Sequence, residues 1–176
     1  LLSGGIDSSL LAVAARKRKG SGIPTFAIGF EDPDFDESPF AAQVAKHIQS
    51  DHHVRVIRES DLLDRWEGIL DDLDEPLADP SILPTRLLAE LARSKVKVVL
   101  GGDGGDELFG GYPTYRAHAL RSLLDRSPDW LLSLGSEFAG ALPTGSGYQP
   151  IGWKLKRLLN RYDRDPIRCH FRWMSG

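Results

Sequence analysis

Leu1-Leu2-Ser3-Gly4-Gly5-Ile6-Asp7-Ser8-Ser9 joins an apolar strand end to a Ser-Gly-Gly turn and then to an acidic, hydroxyl-rich helix start. A turn of this kind reads as a cradle for phosphate. Its glycines permit positive φ and close backbone approach, while the first N–H groups of the helix and the positive end of its dipole point at the loop. Ser3, Ser8 and Ser9 add hydroxyls to the same spot. The commoner phosphate loop, GxxxxGK[ST], sets a lysine on the phosphates, whereas the charged residue here is Asp7. A carboxylate beside a polyphosphate is repelled, by roughly 4 kcal/mol per unit charge pair at 4 Å with an effective dielectric near 20. The arrangement makes sense with a bridging cation, most simply Mg²⁺. The competing reading is a plain Ser/Gly turn with Asp7 as an ordinary helix cap.

Outward from this loop, strands and helices alternate. Ile6, Leu10, Val13 and Ala14 recur at helical spacing and predict an apolar stripe against a sheet. Arg16-Lys17-Arg18-Lys19 suits the negative end of that helix, and Gly20 or Gly22 can take a left-handed cap. Ile23 to Phe30 reads as a strand, closed by an acidic loop from Glu31 to Glu37. Phe40, Ala41, Val44, Ala45 and Ile48 mark the next helix, and His52 to Ile57 the next strand. Strand, helix, strand in this order predicts a doubly wound parallel α/β sheet, Rossmann-like in type. His52 and His53 are adjacent and face opposite ways on a strand, so they are expected to be structural rather than joint metal ligands.

Leu62, Leu63, Trp66, Ile69, Leu70 and Leu73 predict a further helix running into Asp74-Glu75-Pro76-Leu77-Ala78-Asp79-Pro80-Ser81. Two prolines fix that loop, which reads equally as a polar-ligand loop or as a rigid connection with Ser81 capping the helix of Leu83, Leu87, Leu88, Leu91 and Ala92. Val96 to Leu100 reads as a buried strand. After it comes Gly101-Gly102-Asp103-Gly104-Gly105-Asp106-Glu107-Leu108-Phe109-Gly110-Gly111-Tyr112. Four glycines in five positions, with acids among them, predict a loop and exclude a helix or strand interior. Ligands bind beyond the carboxyl ends of strands in doubly wound sheets. If the strands before Ser3 and Gly101 are neighbours, Asp7 and Asp106 face each other, an oxygen-only pair suited to Mg²⁺.

Beyond Tyr112 the pattern is helical: Tyr115 to Asp125, Trp130 to Phe138, Trp153 to Tyr162 and Pro166 to Trp173, broken at Pro128, at Gly140 to Pro150 and at Asp165-Pro166. The expected layout is an α/β core over residues 1–116 and an incomplete helical subdomain over 117–176. Cys169 and His170 are helix neighbours that diverge, which argues against a nucleophile-base pair.

A chain of 176 residues supports a core, since domains of this size bury about 70% of their unfolded surface. The net charge of −3 argues against general nucleic-acid binding, although Ile151 to Gly176 carries Lys154, Lys156, Arg157, Arg161, Arg164, Arg168 and Arg172 against Asp163 and Asp165. That basic tail reads first as a solvated helical face. A single cysteine excludes an internal disulfide, and no apolar run reaches membrane-spanning length, so a cytoplasmic setting without membrane partners is expected. The chain has no initiating Met and starts inside what reads as a strand, as a piece cut from a longer sequence would.

Taken together, Ser3 to Ser9, Ile28-Gly29-Phe30, His52-His53, the Glu75-Pro76 to Asp79-Pro80-Ser81 loop and Gly102 to Tyr112 resemble the synthetase domain of the asparagine synthetase family, within the ATP pyrophosphatases of the SGGxDS type. The resemblance implies that a substrate carboxylate attacks the α-phosphorus of ATP, pyrophosphate leaves, and ammonia displaces AMP to give an amide. It further implies pyrophosphate contacts from Ser3, Gly4, Gly5, Ser8 and Ser9, Mg²⁺ held by Asp7 and Asp106, and adenosine contacts from Leu1, Ile28 and Gly102. Asp103 falls where the family has an acid that orients the acceptor or acts as base. The implied partners are a small carboxylate such as aspartate and ammonia from a glutaminase domain not found in this chain. Lys154 and Lys156 are the lysines available for the family's later lysine. Two alternatives stay open: an SGGxDS adenylating enzyme with a different acceptor, and a nucleotide-binding module without activity.

Overall fold

The computed structural model describes residues 1–58, 60–61, 65, 68–69, 71, 73–75, 79, 81–142 and 151–174. It divides into two compact units, Leu1–Asp103 and Gly104–Gly176.

In the first unit β1 (Pro24–Phe30) and β2 (Asp51–Ile57) pair in parallel, with Pro24 opposite Asp51 and Phe30 opposite Ile57. Helix α1 (Ile6–Lys19) precedes β1, α2 (Ser38–Ile48) joins β1 to β2, and α3 (Ile82–Arg93) follows. The mixed α/β class and the parallel pairing therefore stand as the sequence predicts. Thr25, Phe26, Ile28 and Phe30 suit a pleated, half-buried surface. Phe26 and Ala27 are both buried yet point to opposite sides of the strand, so β1 is covered on both faces.

Small residues let the helices close on this strand. Leu2, Ala12, Ala27, Ala41, Ala45 and Ile48 form one cluster, with Val13, Ile23 and Val44 packed against it. On α3, Leu83, Leu87 and Ala92 are buried, and Glu90 accepts hydrogen bonds from Arg55 at 3.4 Å and Arg65 at 2.8 Å. Gly20 ends α1 at φ +92°, its N–H donating to the Arg16 carbonyl at 3.0 Å, which is the expected glycine stop.

Three expectations need correction. The inward face of α1 carries Ser8 and Ala12, while Ile6 and Leu10 are 78% and 63% exposed. Periodicity found a stripe, but the side with the smaller residues closes on Ala27 and Ala41, because short side chains allow a shorter interaxial distance. Val96 to Leu100 forms no strand, and Val98 and Leu100 are 80% and 60% exposed. The segment beside it, Leu1–Leu2, supplies one hydrogen bond, from the Leu1 nitrogen to the Leu100 carbonyl at 2.6 Å, too few contacts for a ladder. Ser81 makes no side-chain cap to α3; Asp79 instead accepts the Ser81 N–H at 2.9 Å. Of the helix predicted around Leu62 to Leu73, Ile69 is buried, while Leu62, Leu63, Trp66 and Leu70 lie outside the described residues, as do Pro76 to Ala78, Pro80 and residues 143–150.

The second unit is helical among the described residues: α4 (Gly105–Phe109), α5 (Pro113–Asp125), α6 (Asp129–Ala141), α7 (Ile151–Asn160) and α8 (Pro166–Met174). Pro113 and Pro166 occupy first helical positions, where a missing N–H costs nothing. Here the glycine-rich stretch departs from the expected loop, because a helix starts at Gly105. Gly104 at φ +84° and Gly110 at φ +69° bracket that short turn. Asp106 and Glu107 suit its positive end, which offsets the poor helix propensity of Gly105. Among the described residues of this unit, Ala139, Cys169 and Trp173 are the buried apolar side chains.

Candidate active site

The first unit gathers its polar loops where β1 and the segments flanking it end. Leu2 donates its N–H to the Phe26 carbonyl at 2.9 Å, so Leu1–Leu2 runs beside β1 and delivers Ser3 to the carboxyl-end side of that strand. Leu1 is joined in turn to Leu100, which brings Gly101 and Gly102 to the same edge. The neighbour relation expected between the segments before Ser3 and Gly101 therefore holds.

Two glycines are there because nothing larger fits. Gly4 has φ +88°, and a Cβ on it would stand 2.6 Å from Phe40 Cβ and 2.7 Å from the Ala41 nitrogen at the start of α2. A Cβ on Gly102 would stand 2.9 Å from the Ser8 nitrogen in the first turn of α1. The two turns thus press on α2 and on the start of α1 at backbone distance. No side chain caps α1, and Gly5 at its N-cap is extended, so the first-turn N–H groups keep their hydrogen-bonding capacity.

The hydroxyls hold the loop in shape. Ser8 Oγ lies 3.0 Å from Ser3 Oγ and 3.3 Å from the Ser3 nitrogen, and it donates to the Gly5 carbonyl at 3.2 Å. Ser3 Oγ accepts the Gly5 N–H at 3.2 Å. Ser8 is buried, while Ser3 and Gly5 are exposed. Ser9 Oγ is buried with no hydrogen-bond partner. Asp7 is half-buried in the first turn of α1.

At the end of β1, Asp36 does work that the sequence reading missed. Its carboxylate accepts the Phe30 N–H at 3.3 Å and the Ser38 N–H at 3.0 Å, tying the strand to α2. The Ser38 hydroxyl, followed by these backbone donors, holds the Asp36 carboxyl below its ordinary range. The signal was available as an Asp two residues before a Ser that opens a helix. Gly29 fits against the same pair, since a Cβ there would meet Ser38 Oγ at 3.0 Å.

The structure thus brings Ser3, Gly4, Gly5, Asp7, Ser8, Ser9 and Gly102 together, with Leu1 beside Leu100 and Ile28 half-buried farther along β1. Asp103 is exposed at the end of the first unit, and Asp106 is exposed in α4 of the second. The Asp106 carboxylate occupies the space where a Gly111 side chain would stand.

The histidine pair behaves structurally, as expected. His52 Nδ1 lies 2.9 Å from Thr25 Oγ1, while His53 Nε2 lies 3.0 Å from Asp51 Oδ2 and its ring stacks on Phe26 at 5.4 Å. Burial, reinforced by His53, lowers the pKa of His52. Cys169 is buried, whereas His170 faces His118, Nδ1 to Nε2 at 3.0 Å, so the two neighbours do diverge. No group of three or more His, Cys, Asp or Glu among the described residues could hold a metal ion by itself.

This is a mixed α/β protein whose glycine and hydroxyl turns collect at the carboxyl ends of parallel segments. The asparagine synthase family model matches residues 1–165, and the chain belongs to that family. It is 35% identical over 144 residues to glutamine-hydrolysing asparagine synthetase 1 of Bacillus subtilis, covering 82% of this chain and 23% of that protein. It is 39% identical over 140 residues to a putative glutamine-hydrolysing asparagine synthetase of Methanocaldococcus jannaschii, covering 77% and 26%. Amidase chyE of Penicillium rubens is 36% identical over 134 residues, covering 68% and 20%. The chain therefore spans about a quarter of the length of the synthetases it matches.

Proposed function

We propose that this chain is the ATP-using part of an amide-forming ligase. In this reading ATP is a substrate: a carboxylate attacks its α-phosphorus, pyrophosphate departs, and ammonia attacks the activated acyl carbon to give an amide and AMP. Residues 1–116 form the ATP-pyrophosphatase core, with the doubly wound sheet of that class, and residues 117–176 form a helical extension. Ammonia comes from a glutaminase domain, and the setting is cytoplasmic. No described helix is long and apolar enough to cross a membrane.

The observation that carries the reading is the cradle in which Gly4 and Gly102 press on α2 and on the uncapped start of α1 at backbone distance. A phosphate chain needs such an approach, because N–H donors reach its oxygens only when no side chain intervenes. Ser3, Gly4, Gly5, Ser8 and Ser9 would bind the departing pyrophosphate. Leu1, Ile28 and Gly102 would contact adenosine, and Asp103 would orient the acceptor or take its proton.

Mg²⁺ fits the donor set. Asp7 and Asp106 offer hard carboxylate oxygens, and two such ligands leave room for phosphate oxygens and water. When bound, the ion neutralises charge building on the leaving pyrophosphate. Hydrogen bonding of Ser3 to Ser8 would hold the loop ready before ATP arrives.

The test is ATP–pyrophosphate exchange on the full-length protein with Mg²⁺ and a panel of carboxylates. Exchange with aspartate or another carboxylate is expected, falling by about 100-fold or more in Asp7→Asn and Asp106→Ala. Exchange unchanged in both variants would remove the metal assignment, and no exchange with any carboxylate would remove the reaction. A second reading keeps adenylation and changes the acceptor; the matched relatives carry different names, asparagine synthetase and amidase, so the family match alone does not set the acceptor.

A further inference from the structure

The second unit contains a cleft of about 520 Å³ between α5, α7 and α8, within the range of small-molecule sites. Its apolar walls include Leu120, Trp153, Leu158, Trp173 and Met174. Its charged lining is entirely cationic: Arg116, Lys154 and Arg157. Arg157 builds the wall, stacking its guanidinium over Trp153 at 5.0 Å and donating to the Trp173 carbonyl at 3.2 and 2.7 Å. Trp173 is locked as well, its indole N–H donating to the Leu158 carbonyl at 3.2 Å. Arg116 and Lys154, both exposed, make no hydrogen bond or ion pair to another described residue. Two unneutralised cations beside two fixed tryptophans demand an anion with an apolar body.

We propose that this cleft binds an amphipathic carboxylate, an aromatic or acyl-bearing acid bulkier than aspartate, and that it is the acceptor site of the ligase. The acceptor role rests on the ligase reading above; the binding does not. Two features connect the cleft to the reaction. Its rim includes Gly111 and Tyr112, at the end of the glycine-rich motif. The Asp106 carboxylate lies against Gly111, and the Gly111 N–H donates to the Asp106 carbonyl at 3.0 Å. A carboxylate held at this rim sits beside a residue assigned to the phosphate chemistry. Trp173 is 3% exposed and backs the wall, so the surface open to a ligand is that of the half-buried Trp153 with Leu120 and Met174. Aspartate would leave it uncovered, whereas an aromatic or acyl body would cover it. Trp153 then sets specificity by contact area, and Lys154 and Arg116 select for negative charge.

The experiment titrates the full-length protein, without ATP, with phenylbutyrate, phenylbutylamine and aspartate by calorimetry. Phenylbutyrate is expected to bind at least tenfold more tightly than either of the others. Lys154→Gln and Arg116→Gln should each weaken it by about five- to tenfold, the size of a charged hydrogen bond. Lys154→Arg should retain binding, and Ala117→Trp, which fills the cleft from α5, should abolish it, with helicity by circular dichroism matching the parent. Equal binding of phenylbutylamine, or no loss in both Gln variants, overturns the proposal. ATP–pyrophosphate exchange separates it from the ligase reading. Exchange with aspartate alone overturns the acceptor assignment and keeps the ligase. Phenylbutyrate binding without exchange by any carboxylate overturns the ligase reading and the acceptor role with it.

Discussion

The two units close their helices by opposite means. In the first, Ala12, Ala27, Ala41 and Ala45 let backbones approach, and the cluster around them is apolar throughout. In the second, few side chains are buried, and arginines reach backbone carbonyls instead: Arg157 to Trp173, Arg161 to Arg172, and Arg164 to Asp125 and Ser127. Arg121 adds a bond to the Arg164 carbonyl and an ion pair to Asp125. The lesson concerns what each region tolerates. A packed core of short side chains has no slack, whereas exposed arginine contacts such as that of Arg164 with Asp129 can be exchanged for water at little cost.

The sharpest way to break the contrast is in the first core. Phe26→Ala, at a residue 1% exposed, is expected to destabilise by about 3–5 kcal/mol in urea unfolding. Arg164→Ala, which removes the exposed pair with Asp129 and the bonds to the Asp125 and Ser127 carbonyls, should cost no more than about 1 kcal/mol. Similar losses from the two would erase the distinction.

Glycines sharpen the same point, because Gly4 and Gly104 have nearly the same φ, +88° and +84°. Around Gly4 a Cβ meets the backbone of α2, while around Gly104 nothing lies within 4 Å. Gly104→Ala should therefore cost about 1 kcal/mol, from backbone strain alone, and Gly4→Ala about 2–4 kcal/mol, from strain plus overlap. Equal costs would mean that the loop carrying Gly4 shifts without resistance.

Smaller effects appear in pH titrations. His52 is buried against Thr25, and burial lowers its pKa from the ordinary 6.5. A histidine depressed in the folded state stabilises fully above its unfolded value and loses that contribution as pH falls through the folded value. Thermal unfolding should show a downward slope below about pH 6.5 that His52→Asn flattens. In the second unit, the Tyr112 hydroxyl donates to Glu107 at 2.6 Å, which pushes its pKa up to about 12. Glu107→Gln should return the Tyr112 ionisation toward the ordinary tyrosine range in ultraviolet titration, without moving the unfolding midpoint.

Local order was readable where it depends on neighbours in sequence. The alternation over residues 6–57 places α1, β1, α2 and β2 within a residue or two of their positions, and Gly20 ends α1 where the pattern puts it. Side choice was less readable. Ile6 and Leu10 form a proper stripe, but which stripe of α1 turns inward depends on what it meets, and Ala27 and Ala41 favour the smaller one. Val96 to Leu100 has strand composition, yet strand status is decided by a partner ladder. In the site, the Ser3 to Ser9 turn was legible because its glycines and hydroxyls are neighbours in sequence and hydrogen-bond one another. The cleft of Trp153 and Trp173 was not, since α5, α7 and α8 bring its walls from segments far apart in sequence. The His118–His170 contact, across 52 positions, leaves no periodic trace either.

The hydrogen bond between Leu1 and Leu100 also orders events during synthesis, because it joins residues 99 positions apart. Contacts of high sequence separation form late, since loop closure must come before they contribute any stability. The β1–β2 pairing, by contrast, joins residues 27 apart and can form while the ribosome is still delivering α3. The Ser-Gly-Gly turn therefore leaves the ribosome ahead of the glycines that close on it, and nearly the whole first unit must follow before Gly102 reaches Ser8. The cradle is therefore completed only at the end of assembly of this unit, when Gly102 closes on the start of α1.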